Sequence, residues 1–343
     1  MKLIPRNTVK VNPPLNLTRN DKALYSGGEF DLYNEDVIRI ANIKLTYSGL
    51  CFKGVRLVEG STHLYHSKVP IFEKTGQLEL DLLNTIDLDN SKQYLVVHHP
   101  WYINYFHWIT EALPRIWTVR DELKTLILLL PENYRSLAFV TESIRAFDSL
   151  KIEYIPHGNN ANVPNAVIPR HKPFSYCYQP KTVAQLADFF KGMAGMQEIP
   201  LGCEYLYVMR GDSSRRRIIN EGEVIKMLDS YQIKSVDLRS QGFFTQVALA
   251  MNTKLLISNG SGLTNMIFMP ANAFVMEFHK RLTNKNDFLD RVTWYLASVC
   301  NLKYAHQFCD PVQRKKDMYL ADLKVNLEVL RKNIEICLHH VQK

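Results

Sequence analysis

The chain has 343 residues, 46% hydrophobic and 22% charged, too many for one core of typical size and apolar enough to fill two. No stretch is dominated by Pro, Gly, Ser or Gln and no internal repeat recurs, which excludes long disorder, low complexity and a solenoid. The net charge of +8 suits an anionic partner, yet the basic runs Arg215, Arg216, Arg217 and Arg314, Lys315, Lys316 are short and come without a zinc-finger, RNP or basic-zipper pattern. A nucleic-acid partner therefore rests on charge alone and is not expected.

The opening residues carry Lys2 and Arg6 but lack the apolar run of a signal peptide, and no later stretch approaches about eighteen apolar residues. The expected location is cytoplasmic, or the lumen for a trimmed domain, with peripheral association at a membrane's inner face left open. Cys51, Cys177, Cys203, Cys300, Cys309 and Cys337 form no CxxC pair and no Cys/His cluster, which argues for reduced, buried thiols over a zinc site or a disulfide framework.

Residues 36–66 alternate in the strand manner and are broken at Ser48-Gly49 and Glu59-Gly60, which predicts an antiparallel β region. The run 94–99 suits a buried strand ending before Pro100. From Asn104 to about Leu123 the period turns helical, with Phe106, Ile109, Leu113 and Ile116 on one face. Strand-like runs at 126–130 and 166–169 alternate with helical ones at 143–150 and 182–193, and the Gly/Asn-rich stretch 158–162 reads as a loop. Beyond Pro200 the alternation sharpens into strands at 205–210, 233–236, 254–258 and 274–278, with helices at 220–231, 241–251 and 263–268 between them. This is a parallel-sheet unit of the nucleotide-binding kind.

A boundary near 194–203 gives an acceptor-side domain over 1–198, a nucleotide-sugar domain over 199–310 and a C-terminal helix over 311–343. In that last part Leu320, Leu323, Leu327, Leu330, Ile334, Cys337 and Val341 recur at spacings of three and four. Val325, Val329 and Ile336 widen the stripe, favouring a helix packed across the chain's own domains over a coiled-coil homodimer, which stays open.

Three constellations could carry chemistry. Asn104, His107 and Glu111 fall within roughly 60° on the helix side away from the apolar stripe, the imidazole can orient the carboxylate four residues on, and Pro114 should bend the helix beside it. An incidental His-Glu pair on a surface helix would look the same. The second, running from Arg210 through Arg216 and Arg217 to Asn220 and Glu221, follows a strand and opens a helix capped by Asn220. Guanidinium forks and free amides there suit a diphosphate; a solvated basic loop is the alternative. The third is the turn Asn259, Gly260, Ser261, Gly262, Leu263, Thr264, Asn265, whose glycines let backbone amides approach an anion, with Glu277 at a strand end placed to bind ribose hydroxyls. Asp87-Leu88-Asp89 reads as a turn, and His98-His99 lacks a third metal ligand.

In this order, the three constellations resemble the glycosyltransferase family 61 group, also called the DUF563 family. The resemblance spans about 95–280 and is carried by Asn104, His107, Trp108, Glu111, Pro114, Arg210, Arg216, Arg217, Asn220, Glu221, Glu223, Gln246, Gly260, Gly262, Leu263, Thr264, Asn265 and Glu277. It implies a GT-B fold of two Rossmann-like domains facing a cleft, an inverting mechanism and a UDP-linked donor such as xylose or N-acetylglucosamine. The implied acceptor is a glycan or lipid-linked glycan in polysaccharide or glycoconjugate synthesis. The C-terminal domain would hold the nucleotide sugar as co-substrate, with no other cofactor and no metal. The N-terminal domain would hold the acceptor, near Asn104 and Trp108. Where the family shows His-Gly-Ala-Gly this chain has Asn259-Gly260-Ser261-Gly262, so the loop loses a cation; where eukaryotic relatives carry Asp it has Glu111. Glu111 is the expected base, oriented by His107, with His107 acting directly as the runner-up. A catalytically silent nucleotide- or glycan-binding assembly partner is the alternative function.

Overall fold

The computed structural model describes residues 7–26, 28–63, 68–197, 199, 202–211, 216–282, 289–312 and 321–341. Ser213, Ser214 and Arg215 of the basic loop, the run 314–316 and Leu320 of the C-terminal stripe lie outside the described residues. The chain divides into two compact α/β units, one of residues 1–8 and 31–186, the other of residues 9–30 and 187–343. The division falls within helix Pro180–Met196, and the C-terminal helix belongs to the second unit.

The first unit is built on a mixed sheet. Its parallel part runs in the order Asn159–Pro169, Gln93–Val96, Leu126–Pro131, Lys151–Ile155. Leu126, Leu128, Leu129 and Leu130 are fully buried, as expected of a central strand covered on both faces. Val37–Leu45 continues the sheet antiparallel to Asn159–Pro169, followed by Cys51–Lys53 and Arg56–Leu57, the antiparallel region expected at 36–66. Helix Val69–Leu82 was not foreseen, because Gly76 interrupts its apolar period; that glycine is required, since an added Cβ would stand 2.5 Å from Cε2 of Phe52.

The Gly/Asn stretch expected to be a loop is a strand from Asn159 onward. Its asparagines face polar partners on neighbouring segments: Asn160 accepts from the Tyr47 amide at 3.1 Å and donates to the Glu79 carbonyl at 2.9 Å, and Asn162 donates to Asp87 at 2.7 Å. These contacts override the turn preference that asparagine shows in isolation. Asp87 is thereby engaged, and Asp89 caps a turn by accepting from the backbone and hydroxyl of Ser91.

The second unit holds a sheet ordered Lys234–Val236, Tyr205–Val208, Leu255–Ser258, Phe274–Lys280, Lys303–Pro311, parallel throughout, with Leu323–Lys324 antiparallel at the edge. All four residues of Leu255–Ser258 and all seven of Phe274–Lys280 are buried. Of the part expected to be a C-terminal helix, 311–343, only Leu327–Val341 is helical among the described residues; Leu323, expected on the helical stripe, lies instead in the edge strand, paired with Pro311. The helix's stripe of Leu330, Ile334 and Cys337 is wholly buried in this unit's own core with Tyr207, Leu255 and Ile257. Residues of the 9–30 segment dock on the same unit: Asn16 bonds both backbone groups of His306, and Tyr25 meets Trp294 edge-on at 4.9 Å. Among the described residues no helix is long and apolar enough to cross a membrane.

Candidate active site

In the first unit the site is built on one irregular helix. Asn104 caps it, its Oδ1 accepting from the Phe106 amide at 2.9 Å. After Tyr105–His107 the helix widens into a π turn, Trp108–Ala112, closed by the Leu113 amide donating five residues back to the Trp108 carbonyl, and then resumes as Leu113–Thr118. The cause is Pro114, which has no N–H for the Thr110 carbonyl four residues before it. Lys172 fills the gap: its Nζ donates to Thr110 O at 2.9 Å and to Ser175 O at 3.3 Å, with Tyr178 beneath it at 4.3 Å. The bend expected at Pro114 is thus a widened turn just upstream.

That turn carries Glu111 inward. The spacing placed it on an exposed polar face, whereas it is 1% exposed and both oxygens accept hydrogen bonds. Oε1 faces His107 Nδ1 at 3.0 Å and Oε2 faces His63 Nε2 at 2.9 Å. His63 in turn bonds the Lys172 carbonyl through Nδ1 at 2.9 Å and stacks on Trp101 with 5.3 Å between ring centroids. His99 and His171 stand 5.3 and 5.1 Å from the His63 ring, His171 bonding the Tyr102 hydroxyl at 3.2 Å. Arg115 lies behind, fixed by the carbonyls of Pro169, Val97 and Val96.

Burial alone would raise the Glu111 pKa, but the facing His107 and His63 rings outweigh it and hold the carboxyl well below its usual range. Burial keeps His99 and His171 well below the usual histidine value, and it lowers Lys172 against the pull of Glu111. His107 alone of the Glu111 partners reaches the surface, its side chain 22% exposed against 0% for His63. Among the described residues its Nε2 makes no hydrogen bond. A small pocket of about 40 Å³, room for a few waters, also borders Glu111, lined by Tyr33, Glu35, Arg170, His171, Lys172 and Thr182 but not by His107.

In the second unit two constellations come together. The glycine turn is a run of 3-10 turns, Gly260–Phe268, following strand Leu255–Ser258. Gly260 has φ +71°, and a Cβ there would stand 3.1 Å from Nη2 of Arg216, so the guanidinium lies against the glycine itself. At Gly262 a Cβ would meet Val208 at 2.7 Å, so only glycine lets the turn pack on the neighbouring strand. Asn259 ties the two parts, its Nδ2 donating to the Arg216 carbonyl at 3.0 Å. Its Oδ1 and the Thr264 hydroxyl are buried with no hydrogen-bond partner among the described residues. Ser261 borders the same turn half-buried.

Other expected donor residues make hydrogen bonds within the unit. Glu221 accepts from the amides of Arg210 and Gly211 at 2.9 and 3.0 Å and from the Tyr207 hydroxyl at 2.8 Å, fixing the loop after the strand. Arg217 pairs with Asp322 at 2.8 Å. Asn220 sits at the helix N-cap position without capping: its amide bonds the backbone N–H and carbonyl of Val325, which satisfies both ends of the side chain at once. Leu263 and Asn265 are buried, Asn265 donating to Gln246 at 3.1 Å. Glu277 lies within strand Phe274–Lys280 rather than at its end, and its oxygens accept from Thr293, Tyr304 and His279. His279, opposed by burial but favoured more by Glu277, has a raised pKa. On the acceptor side, Trp108 is fully buried and donates to Ser143 at 3.0 Å, so it presents no surface to a substrate.

The sequence pointed to His107 and Glu111 but not to His63, His171, Tyr102 or Lys172, which arrive from other segments; His99 alone had been noticed, beside Pro100. In the second unit it missed His279 and Asp322. Among the described residues no group of three or more His, Cys, Asp or Glu is arranged to hold a metal ion. The model of one protein family, Glycosyltransferase 61, matches residues 105–276, just over half of the chain. It spans His107, Glu111, Arg216 and the glycine turn, and leaves His63 and His279 outside. No curated protein matches the chain.

Proposed function

The chain belongs to the glycosyltransferase 61 family and is a glycosyltransferase; on that premise we propose that it transfers a sugar from a UDP-linked donor, xylose or N-acetylglucosamine, to a glycan acceptor with inversion at the anomeric carbon. On this reading the two α/β units are the halves of a GT-B enzyme serving polysaccharide or glycoconjugate synthesis.

The observation that carries the reading is the buried Glu111 bonded to a His107 that remains partly exposed. In a single displacement the acceptor oxygen bonds to the anomeric carbon as the bond to the β-phosphate breaks, the hydroxyl proton goes to a base, and the electron pair leaves on UDP. His107 is that base. Its Nδ1–H is committed to Glu111, which leaves the Nε2 lone pair to take the proton. Glu111 suits the role less well, because both its oxygens are occupied, it is 1% exposed and its carboxyl is held low, hence weakly basic. Its part is to fix the tautomer and stabilise the imidazolium.

On the donor side, Arg216 lying on Gly260 meets the diphosphate and neutralises it as it leaves. The Asn259 Oδ1 and Thr264 hydroxyl, without a hydrogen-bond partner among the described residues, are groups a nucleotide would satisfy. The test is UDP release and sugar transfer from UDP-xylose and UDP-N-acetylglucosamine onto a glycan panel, with UDP binding followed by calorimetry. Release with transfer is expected; binding without any release would favour a silent assembly partner.

A further inference from the structure

We propose that His63 carries a proton on both ring nitrogens and acts as a positioning residue, holding Glu111 as a charge-compensated pair beside the reactive imidazole; the second half of this rests on the reading of His107 as the base. Nδ1 of His63 lies 2.9 Å from the carbonyl oxygen of Lys172, which can only accept, so Nδ1 bears hydrogen. Nε2 lies 2.9 Å from Oε2 of Glu111, and a carboxylate oxygen likewise only accepts. A neutral His63 would set two lone pairs against each other at that distance. One further proton therefore sits between Nε2 and Oε2.

The surroundings assign that proton to the imidazole. Arg115, buried, and Lys172, partly buried, stabilise a negative charge on Glu111, as does the His107 N–H on its other oxygen. His63 stacks on the Trp101 ring at 5.3 Å and 20° between planes, a face that favours a cation. The remaining neighbours, His99 and His171, are kept neutral by burial, and Tyr102 keeps its proton for the same reason.

The function of the arrangement follows from charge. A bare Glu111 carboxylate would hold a proton on His107 and remove its lone pair, whereas the cation on His63 offsets that pull. Replacement by glutamine, His63→Gln, keeps an N–H for Oε2 and deletes the charge. The low-pH limb of the UDP-release profile should then move upward by about one pH unit while UDP affinity is unchanged. A superimposable limb overturns the positioning role, which mere loss of packing would not shift.

The protonation itself is read without turnover, by ¹⁵N-histidine NMR of the intact chain at pH 7, with His63 assigned through contacts to the Trp101 ring. Two protonated nitrogens are expected, and a ring with one refutes the proposal. Near-normal turnover in His107→Ala would instead sink the base assignment and leave the His63 result standing.

Discussion

Replacing Lys172 by methionine tests why the helix around Glu111 has its shape. The substitution keeps much of the side chain's length and removes an ammonium that donates to Thr110 O at 2.9 Å and Ser175 O at 3.3 Å. Because residue 114 is proline, no helical amide replaces it and the Thr110 carbonyl is left unsatisfied. Losing a hydrogen bond to a charged group costs about 1.5–3 kcal/mol, and relief of the buried ammonium, whose pKa burial lowers, offsets part of this. The net expectation is about 2 kcal/mol of destabilisation, read as a lower urea midpoint at unchanged slope. In a Pro114→Ala background the amide returns, so the same Lys172 substitution should cost about 1 kcal/mol less. Equal losses in the two backgrounds would falsify the link between Pro114, the π turn and Lys172.

Three further outcomes are expected. Burial and the nearby Arg115 hold His98 neutral, its pKa lowered from 6.5 to about 3, so below pH 6.5 the unfolded chain takes up a proton that the folded one refuses. Stability should therefore fall on acidification from pH 6.5 toward 3, by about 1.4 kcal/mol per pH unit for this residue, and His98→Gln should flatten the slope in a pH series of urea melts. Arg216→Ala should weaken UDP binding by about 1.5–3 kcal/mol in calorimetry, with unchanged affinity counting against the diphosphate assignment. Ile334→Ala, which truncates a wholly buried side chain of the C-terminal helix, should cost about 2–5 kcal/mol, and a loss below half of that would show the helix to be loosely packed.

The sheet of the second unit was legible because Leu255–Ser258 and the first residues of Phe274–Lys280 are covered on both faces and read as short apolar runs, while glycines and helical periods mark the connections. The pair His107 and Glu111 was legible because four residues on a helix is a local relation. His63 was not, since it meets Glu111 across 48 residues of sequence and only the tertiary fold joins them. Nor could spacing show that Glu111 turns inward, because that follows from Pro114 acting together with Lys172. The asparagines after Gly158 misled in the same way: their turn preference is local, and the Glu79 and Asp87 partners that turn them into strand residues are distant. Nor could spacing show that Arg217 pairs with Asp322 and Asn220 with the backbone of Val325, about a hundred residues away.

The central claim is that His107 takes the acceptor proton and Glu111 orients it. The most direct measurement is the rate of UDP release from a turned-over UDP-sugar at saturating concentration, for the wild-type chain and for His107→Ala and Glu111→Gln, with UDP affinity measured alongside. The account predicts a loss of about 10²–10⁴ for His107→Ala, the range for a positioned base, with UDP binding intact and a smaller loss for Glu111→Gln. Near-normal release by His107→Ala, with the larger loss in Glu111→Gln, would contradict it and return the base to the carboxylate.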